Sequence, residues 1–447
     1  MTTPQIDGAR VLVVGLERSG LAAIDLLLAR GAKVRATDTA VKGQEFLKSR
    51  CVRFDLQADE VFKNLDLIVI SPGVPADLPQ LVEARRQGVD VIGEVELAGR
   101  FLQGRVIGIT GSNGKTTTTA LAGHILRFAG VPVQVGGNIG TAVASLVESS
   151  RPDQWNVVEI SSFQLETIRS FRADIAVCLN VTPDHLDRHY TFAGYAAAKG
   201  RIFETQRQSD YAILNADDAT CVDYSATLRA RPVWFSSSRA MAPGIWLDNG
   251  RLWMDDEMLM EASAIPIRGL HNVENTMAAA VAARLAGVSL AGIAAAVSTF
   301  RAVEHRLEFV SAVRGVDYYN DSKATNVDAT LKALAAFDGS LWVILGGKDK
   351  GSDYRPLNAP LRKKAHAVLL IGAASETIAA QLDGGVPVLE MGTLDRAVKL
   401  AHRRGTRGDT VLLAPACASF DQFDNYEHRG RVFKSLVKGL EVECRSN

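Results

Sequence analysis

Short apolar runs rich in valine, isoleucine and leucine alternate along the chain with longer segments in which alanine and leucine recur at helical spacing. The first run, 10–15, closes on Gly15. An Ala/Leu pattern then continues to Gly31, and a second run at 33–37 is capped by Asp38, which predicts a β-α-β opening. Strands are also predicted at 67–70 and 89–92, on either side of the turn Ser71-Pro-Gly73-Val-Pro75. From residue 105 the pattern resumes, with strands at 105–110, 156–159, 173–180 and 211–215 and short irregular strands between 232 and 267. An alanine-rich helix follows from Gly269 to Gly287, and a second runs from Ser289 to Phe300. Beyond Phe300, the runs 307–313 and 316–320 read as a hairpin, and strands at 341–345, 367–371, 386–389 and 410–413 alternate with helical patterns. Such alternation predicts parallel sheets covered on both faces. At about 150 residues per domain, the length suggests about three domains. The fold class is α/β: an N-terminal Rossmann-like domain over 1–96, a central mononucleotide-binding sheet of the phosphate-loop type over 97–300, and a C-terminal Rossmann-like domain over 301–447.

The strand ends carry the chemistry. Strand 105–110 breaks into Gly111-Ser-Asn-Gly114-Lys115-Thr116 and then into a helix-forming segment. Glycines let backbone N–H groups turn toward an anion, Lys115 adds a point charge, Thr116 offers a hydroxyl to magnesium, and the helix N-terminus adds its dipole. The usual glycine five positions before the Gly-Lys pair is Ile109 here. ATP is preferred over GTP, because no Asn-Lys-x-Asp follows strand 173–180. Glu159 ends its strand where a magnesium-binding carboxylate belongs beside a phosphate loop. Gly136-Gly-Asn138-Ile-Gly140 reads as a flexible loop with one polar side chain, Asn272 and Asn275 as helix caps, His185 equally as a turn residue, and Lys199 as a solvated helix residue. Gly15-Leu-Glu-Arg-Ser-Gly20 keeps the outer glycines of a dinucleotide motif, with Asp38 at the ribose position. Glu17 would crowd a pyrophosphate there, so a packing turn that binds nothing stands equally open. In the last third, Asp321, Lys323, Lys350 and Ser419 fall at the carboxyl ends of strands, where ligands of doubly wound sheets bind.

Composition narrows the class. Lysine plus arginine and aspartate plus glutamate each number 50, so no global field draws the chain to nucleic acid or an anionic membrane. The five cysteines, Cys51, Cys178, Cys221, Cys417 and Cys444, show no Cys-x-x-Cys pair, against a zinc knuckle or a disulfide framework. The opening residues lack a signal-type apolar core, and a cytoplasmic protein is expected.

Taken together, Thr110-Gly-Ser-Asn-Gly-Lys-Thr-Thr117, Glu159-Ile-Ser-Ser-Phe-Gln164, Asn180 through Asp187, His271-Asn-Val-Glu-Asn275, His305-Arg306, Asp321-Ser-Lys-Ala-Thr-Asn326 and Leu345-Gly-Gly resemble the Mur ligases of peptidoglycan synthesis. The resemblance covers essentially the whole chain in order, and the missing glycine at Ile109 is also a habit of that family. It implies a monomeric ATP-dependent ligase without membrane insertion, whose substrates are UDP-N-acetylmuramoyl-L-alanine and D-glutamate. Gly111, Ser112, Asn113, Gly114, Lys115, Thr116 and Thr117 would bind ATP with Asn275, Arg306 and Asp321. Arg18, Ser19, Asp38, Thr39, Gly73 and Asn138 would hold the UDP substrate. Thr116 and Glu159 would hold one magnesium ion, and His185 with Lys199 a second, Lys199 carrying a CO2-derived carbamate. Lys323, Thr325, Lys350, Ser419, Phe420 and Tyr426 would hold glutamate, and Lys115, His185 and Lys199 would act in catalysis. Lys348-Asp349-Lys350 replaces the Asp-Gly-Lys of some relatives, and the resemblance leaves open which lysine faces the substrate. The alternatives are another ligase of the family, an ATP-binding regulatory module, and an NAD-dependent reductase built on the first β-α-β unit.

Overall fold

A computed structural model describes residues 6–301 and 303–446, with backbone alone over 442–446. The opening residues 1–5, part of the expectation about targeting, and the Cys444 side chain lie outside the described residues. Three sheets organise the chain. The first contains β1 (Arg10–Val14), β2 (Lys33–Asp38), β3 (Arg53–Leu56), β4 (Leu67–Ile70) and β5 (Asp90–Gly93), in the order β3-β2-β1-β4-β5, all parallel. Strand β1 is central and covered on both faces, which is why it reads as an unbroken apolar run. Strand β3 escapes the sequence reading because an edge strand needs no such run: Arg-Phe-Asp-Leu is half-exposed, with Asp55 paired to Arg35 and Arg53.

The central sheet holds β6 (Arg105–Thr110), β7 (Val133–Gly137), β8 (Trp155–Glu159), β9 (Ile175–Cys178), β10 (Tyr211–Asn215), β11 (Arg231–Ser236), β12 (Gly244–Asp248), β13 (Arg251–Met254) and β14 (Glu257–Glu261). Their order is β14-β13-β12-β11-β10-β9-β6-β8-β7. Two expectations change. Gly136 and Gly137 end strand β7 rather than forming a flexible loop: a Cβ on Gly136 would meet the Thr141 carbonyl, and one on Gly137 the backbone of Glu159. Close backbone approach, not flexibility, is what these glycines serve. The sheet is also not parallel throughout, since β12, β13 and β14 form an antiparallel ribbon at its edge.

The third sheet comprises β15 (Glu308–Val313), β16 (Val316–Asn320), β17 (Leu341–Gly346), β18 (Ala365–Ile371), β19 (Val388–Gly392) and β20 (Thr410–Leu413). The β15–β16 hairpin forms as expected, and β20 inserts between β16 and β17. Apolar clusters cover both faces, one of them including Phe433 and Val437 of the C-terminal helix Tyr426–Ser446. The chain forms two compact units. One contains the first two sheets with Asn275–Val297, and the other contains Ser263–Glu274 with the third sheet.

Candidate active site

Strand β6 lies between β8 and β9, so the segments that leave these three strands emerge at one edge of the sheet. The first is the phosphate loop. Gly111 and Gly114 both have positive φ, 147° and 86°, and Gly114 caps the helix Lys115–Phe128. The loop is braced from the segment after β9. Asn113 N donates to Asn180 Oδ1 at 2.9 Å, Asn180 Nδ2 donates to the Asn113 carbonyl at 3.1 Å, and Ser112 Oγ lies 2.9 Å from the Thr182 carbonyl and 3.0 Å from the Tyr195 hydroxyl. A Cβ on Gly114 would strike the side chain of Asn275. Asn272 and Asn275 lie inside the helix Leu270–Leu285 rather than capping it, and Asn275 Oδ1 accepts from Thr118 Oγ1 at 3.3 Å.

Two lysine side chains meet at this loop. Lys115 Nζ donates to the carbonyls of Gly111 (2.7 Å) and Ser112 (2.8 Å), and Lys199 Nζ donates to the same Gly111 carbonyl at 2.8 Å. Lys199 is not the solvated residue that its helix suggested: it is 1% exposed and lies 4.5 Å from the centre of the Tyr195 ring. Burial, and then the charge of Lys115, hold its pKa well below the usual lysine range. Glu159 pairs in register with Ile109 and is 1% exposed. Its Oε1 accepts from Asn138 Nδ2 at 2.9 Å, while its buried Oε2 has no partner among the described residues. A spare buried carboxylate oxygen beside a phosphate loop suits a hard cation. Thr116 and Thr117 are buried in the first helical turn, and His185 sits in left-handed backbone (φ 53°), its side chain 38% exposed.

The N-terminal domain contributes at the same unit. Arg18 donates to the Asn138 carbonyl at 2.8 Å, which joins two residues expected at the UDP substrate. Asp38 accepts from Leu16 N at 2.8 Å and lies 3.3 Å from both Thr39 Oγ1 and Ala40 N. Burial pushes its carboxyl up, but these donors together with Lys42 outweigh it and the pKa is lowered. Ser19 is buried in the first turn of the helix Arg18–Ala29, and Gly73 lies in the turn closed by Val74 N donating to the Ser71 carbonyl. Glu17 does not crowd this turn, because its side chain points outward to Lys42 at 2.6 Å.

The second unit gathers the loops that follow β16, β20 and β17. Asp321 is buried, which raises its carboxyl to about 6 against the opposing pull of Arg306, and Arg306 Nε is buried without a partner among the described residues. Lys323 Nζ lies 5.1 Å from the centre of the Tyr426 ring, and Thr325 N donates to the Lys323 carbonyl. Ser419 is buried and Phe420 exposed. In Lys348-Asp349-Lys350 the aspartate turns inward to the Tyr354 hydroxyl at 2.6 Å, and both lysines are exposed. Glu304, His305 and Glu308 cluster, with Lys434 Nζ hydrogen-bonded to both carboxylates. The sequence reading missed Arg429, which is fully buried. It donates to the carbonyls of Ser322 (2.8 Å), Cys417 (3.2 Å) and Gly346 (3.4 Å) and to Ser322 Oγ (3.0 Å), so one guanidinium ties the three loops together. Burial lowers its pKa to about 10. No sequence signal marks it among the charges of a polar C-terminal helix, whereas Asn180 lies two residues beyond the buried strand β9 and could have been found by the logic applied to Glu159.

A glycine-rich loop approached by two lysines, a strand-end carboxylate with an unused oxygen, and a third sheet with cations at its strand ends fit a modular nucleotide-dependent α/β enzyme. The chain belongs to the Mur ligase family. Residues 9–93 match the family model "Mur ligase MurD-like, N-terminal domain", 109–283 "Mur ligase middle domain" and 305–417 "Mur ligase, glutamate ligase domain". The chain is 62% identical to the UDP-N-acetylmuramoylalanine--D-glutamate ligase of Solibacter usitatus, over 98% of this chain and 99% of that protein. It is 52% identical to the protein of the same name from Koribacter versatilis, over 97% and 98%. Among solved structures, UDP-N-acetylmuramate-alanine ligase from Thermotoga maritima superposes with a TM-score of 0.62 at 18% identity, over 96% of this chain and 99% of that one. A pseudomurein peptide ligase type C from Methanothermus fervidus gives 0.61 at 18%, over 97% and 100%. These likenesses show the shared fold.

Proposed function

We propose that this protein is the ATP-dependent ligase that joins D-glutamate to the alanine carboxylate of UDP-N-acetylmuramoyl-L-alanine in peptidoglycan precursor synthesis. The observation that carries the reading is the meeting of Lys115 and Lys199 on the Gly111 carbonyl, at the sheet edge where Glu159 keeps a free oxygen. The names of the relatives and the match of 305–417 to a glutamate ligase domain support the choice of amino acid. In this reading 1–96 binds the UDP substrate, 97–300 binds ATP, and 301–447 brings glutamate.

A carboxylate does not acylate an amine, so the alanine carboxylate first takes the γ-phosphoryl group of ATP and becomes an acyl phosphate, with ADP released. Asn180 takes the N–H groups of Ser112 and Asn113, so the backbone N–H groups over 114–117 would cradle the phosphates, with Asn275, Arg306 and Asp321 also contacting ATP. Lys115 Nζ, which donates to the Gly111 and Ser112 carbonyls, would meet the charge of the γ-phosphoryl group in flight. Thr116, Glu159, His185 and Lys199 would hold magnesium at two sites, and bound magnesium supplies positive charge to the phosphate oxygens. Lys199 suits the carbamate role: a buried amine kept neutral is the form that adds CO2, and the product presents oxygen where an ammonium could not serve a metal. Arg18, Ser19, Asp38, Thr39, Gly73 and Asn138 orient the UDP substrate. The glutamate amine, relieved of its proton by His185, attacks the acyl carbon, and phosphate leaves from the tetrahedral adduct. Lys323, Thr325, Lys350, Ser419, Phe420 and Tyr426 would hold the two carboxylates of glutamate. The enzyme is expected to work as a cytoplasmic monomer. Among the described residues no helix is long and apolar enough to cross a membrane, and the described cysteines are free.

A phosphate-release assay tests this directly. Release is expected only when ATP, magnesium, UDP-N-acetylmuramoyl-L-alanine and D-glutamate are all present, with an amide product found by mass spectrometry. Release with another amino acid in place of D-glutamate would move the protein to another ligase of the family, and hydrolysis without amide would overturn ligation.

A further inference from the structure

The segment after β8 and the one after β9 are joined by an aromatic and polar cluster centred on His189. Its side chain is 4% exposed, with Nε2 2.9 Å from Ser162 Oγ and Nδ1 3.3 Å from Glu166 Oε1. With a partner on each nitrogen, the ring cannot rotate without losing one of them. One face stacks on Phe163, with centroids 5.4 Å apart and planes 23° from parallel, and the Tyr195 ring lies 5.2 Å from it. Phe163 in turn meets His185 edge-on at 4.9 Å. Arg188 caps the arrangement: it lies 5.0 Å from the Phe163 centroid, bonds Glu166 Oε2 at 2.9 Å, and donates to the Val74 carbonyl in the Ser71–Val74 turn of the first domain at 2.9 Å. His185 itself occupies left-handed backbone, a conformation unfavourable for a non-glycine residue, and so has to be held by its surroundings.

We infer that His189 is a positioning residue: by bridging Ser162 and Glu166 and bearing on Phe163, it fixes the ring against which His185 is seated. The inference rests on the proposed ligase reading, in which His185 holds magnesium and accepts the proton of the glutamate amine. A ligand whose supporting shell is loosened keeps its identity and loses its aim, and removal of such support costs about 10–100-fold in metal affinity. The effect therefore falls on metal dependence, whereas a cluster that only stabilised the fold would lower the amount of active enzyme and leave that dependence alone.

The wild-type protein is assayed first with both substrates, and absence of amide product there counts against the ligase reading and not against His189. In His189→Leu the magnesium concentration for half-maximal activity is expected to rise about tenfold, with KM for D-glutamate within about twofold of wild type. Manganese binding in the presence of a non-hydrolysable ATP analogue, followed by electron paramagnetic resonance, is expected to weaken by a similar factor without turnover. His189→Gln, which keeps one polar atom for Ser162 or Glu166, should recover part of the shift and serves if the leucine variant does not fold. Phe163→Leu should reproduce the shift, and the double variant should add nothing to it, because both residues act through one contact. Unchanged manganese binding in the His189 variants, or shifts that add in the double variant, would overturn the inference.

Discussion

Two strand-to-helix turns in this molecule look alike on paper and differ in what they leave for a ligand. Gly15–Gly20 follows β1 and Gly111–Gly114 follows β6. In the first, the Leu16 N–H is already taken by Asp38 and the Gly15 carbonyl by Ser71 Oγ at 2.7 Å. A Cβ on Gly20 would collide with the Gly15 carbonyl, so the glycines serve close packing. The Asp38 carboxylate thus already uses one N–H of the turn that a dinucleotide motif would offer to a ligand. In the second turn there is no acidic side chain in the loop or in the first helical turn, and two lysines rest on carbonyl oxygens. Glycine spacing alone does not separate an anion cradle from a packing turn; the sign of the charge brought against it does.

The contrast breaks most sharply at Lys115. Lys115→Ala should lower turnover by about 100–1,000-fold in the phosphate-release assay, the scale for removing a group that stabilises transition-state charge, and near-normal turnover would remove the phosphate loop from the mechanism. The next effect is on stability and concerns Glu94, a second acid of the first domain that, like Asp38, accepts backbone N–H, here from Ala144 at 2.6 Å. Full burial wins in this case and raises its carboxyl to about 7. The folded protein therefore holds a proton that the unfolded chain has released, and stability is lost as pH rises through about 4.5 to 7. Glu94→Gln should be more stable than wild type by up to about 3 kcal/mol at pH 8, with little difference at pH 4.5, as read by denaturant melts; a gap independent of pH would refute the buried proton. Gly114→Ala must both hold a positive φ and push Asn275 aside, so KM for ATP should rise about tenfold while KM for the UDP substrate is unchanged. Asp38→Asn should show the converse at smaller scale, with KM for the UDP substrate raised about threefold to tenfold, as for loss of one charge-assisted hydrogen bond, and KM for ATP unaffected. If both variants moved the same constant, the division of labour between the turns would fail.

Much of this was legible in the residues. The continuous apolar runs gave the buried parallel strands, and Glu159 and the glycine-lysine loop could be singled out because ligands of such sheets bind beyond strand ends. The edge strand β3, the strand character of Gly136 and Gly137, and the antiparallel ribbon were not legible, because edges carry no continuous apolar signal and glycine at a close approach looks like glycine in a loop. Lys199 and Arg429 show the same limit for charge. Each sits in a helix whose local sequence suits a solvated cation, yet each is buried by elements distant in the chain.

By itself the sequence determined the order of elements, the three-sheet plan and the family, since these depend on local periodicity and on motifs that stay contiguous. Only the tertiary structure decided which lysine loses its water, which carboxylate keeps a free oxygen and which glycine turn already carries its own anion. Those properties are set by neighbours brought together across the sheet, where desolvation and a single nearby charge outweigh anything a residue's own segment prescribes.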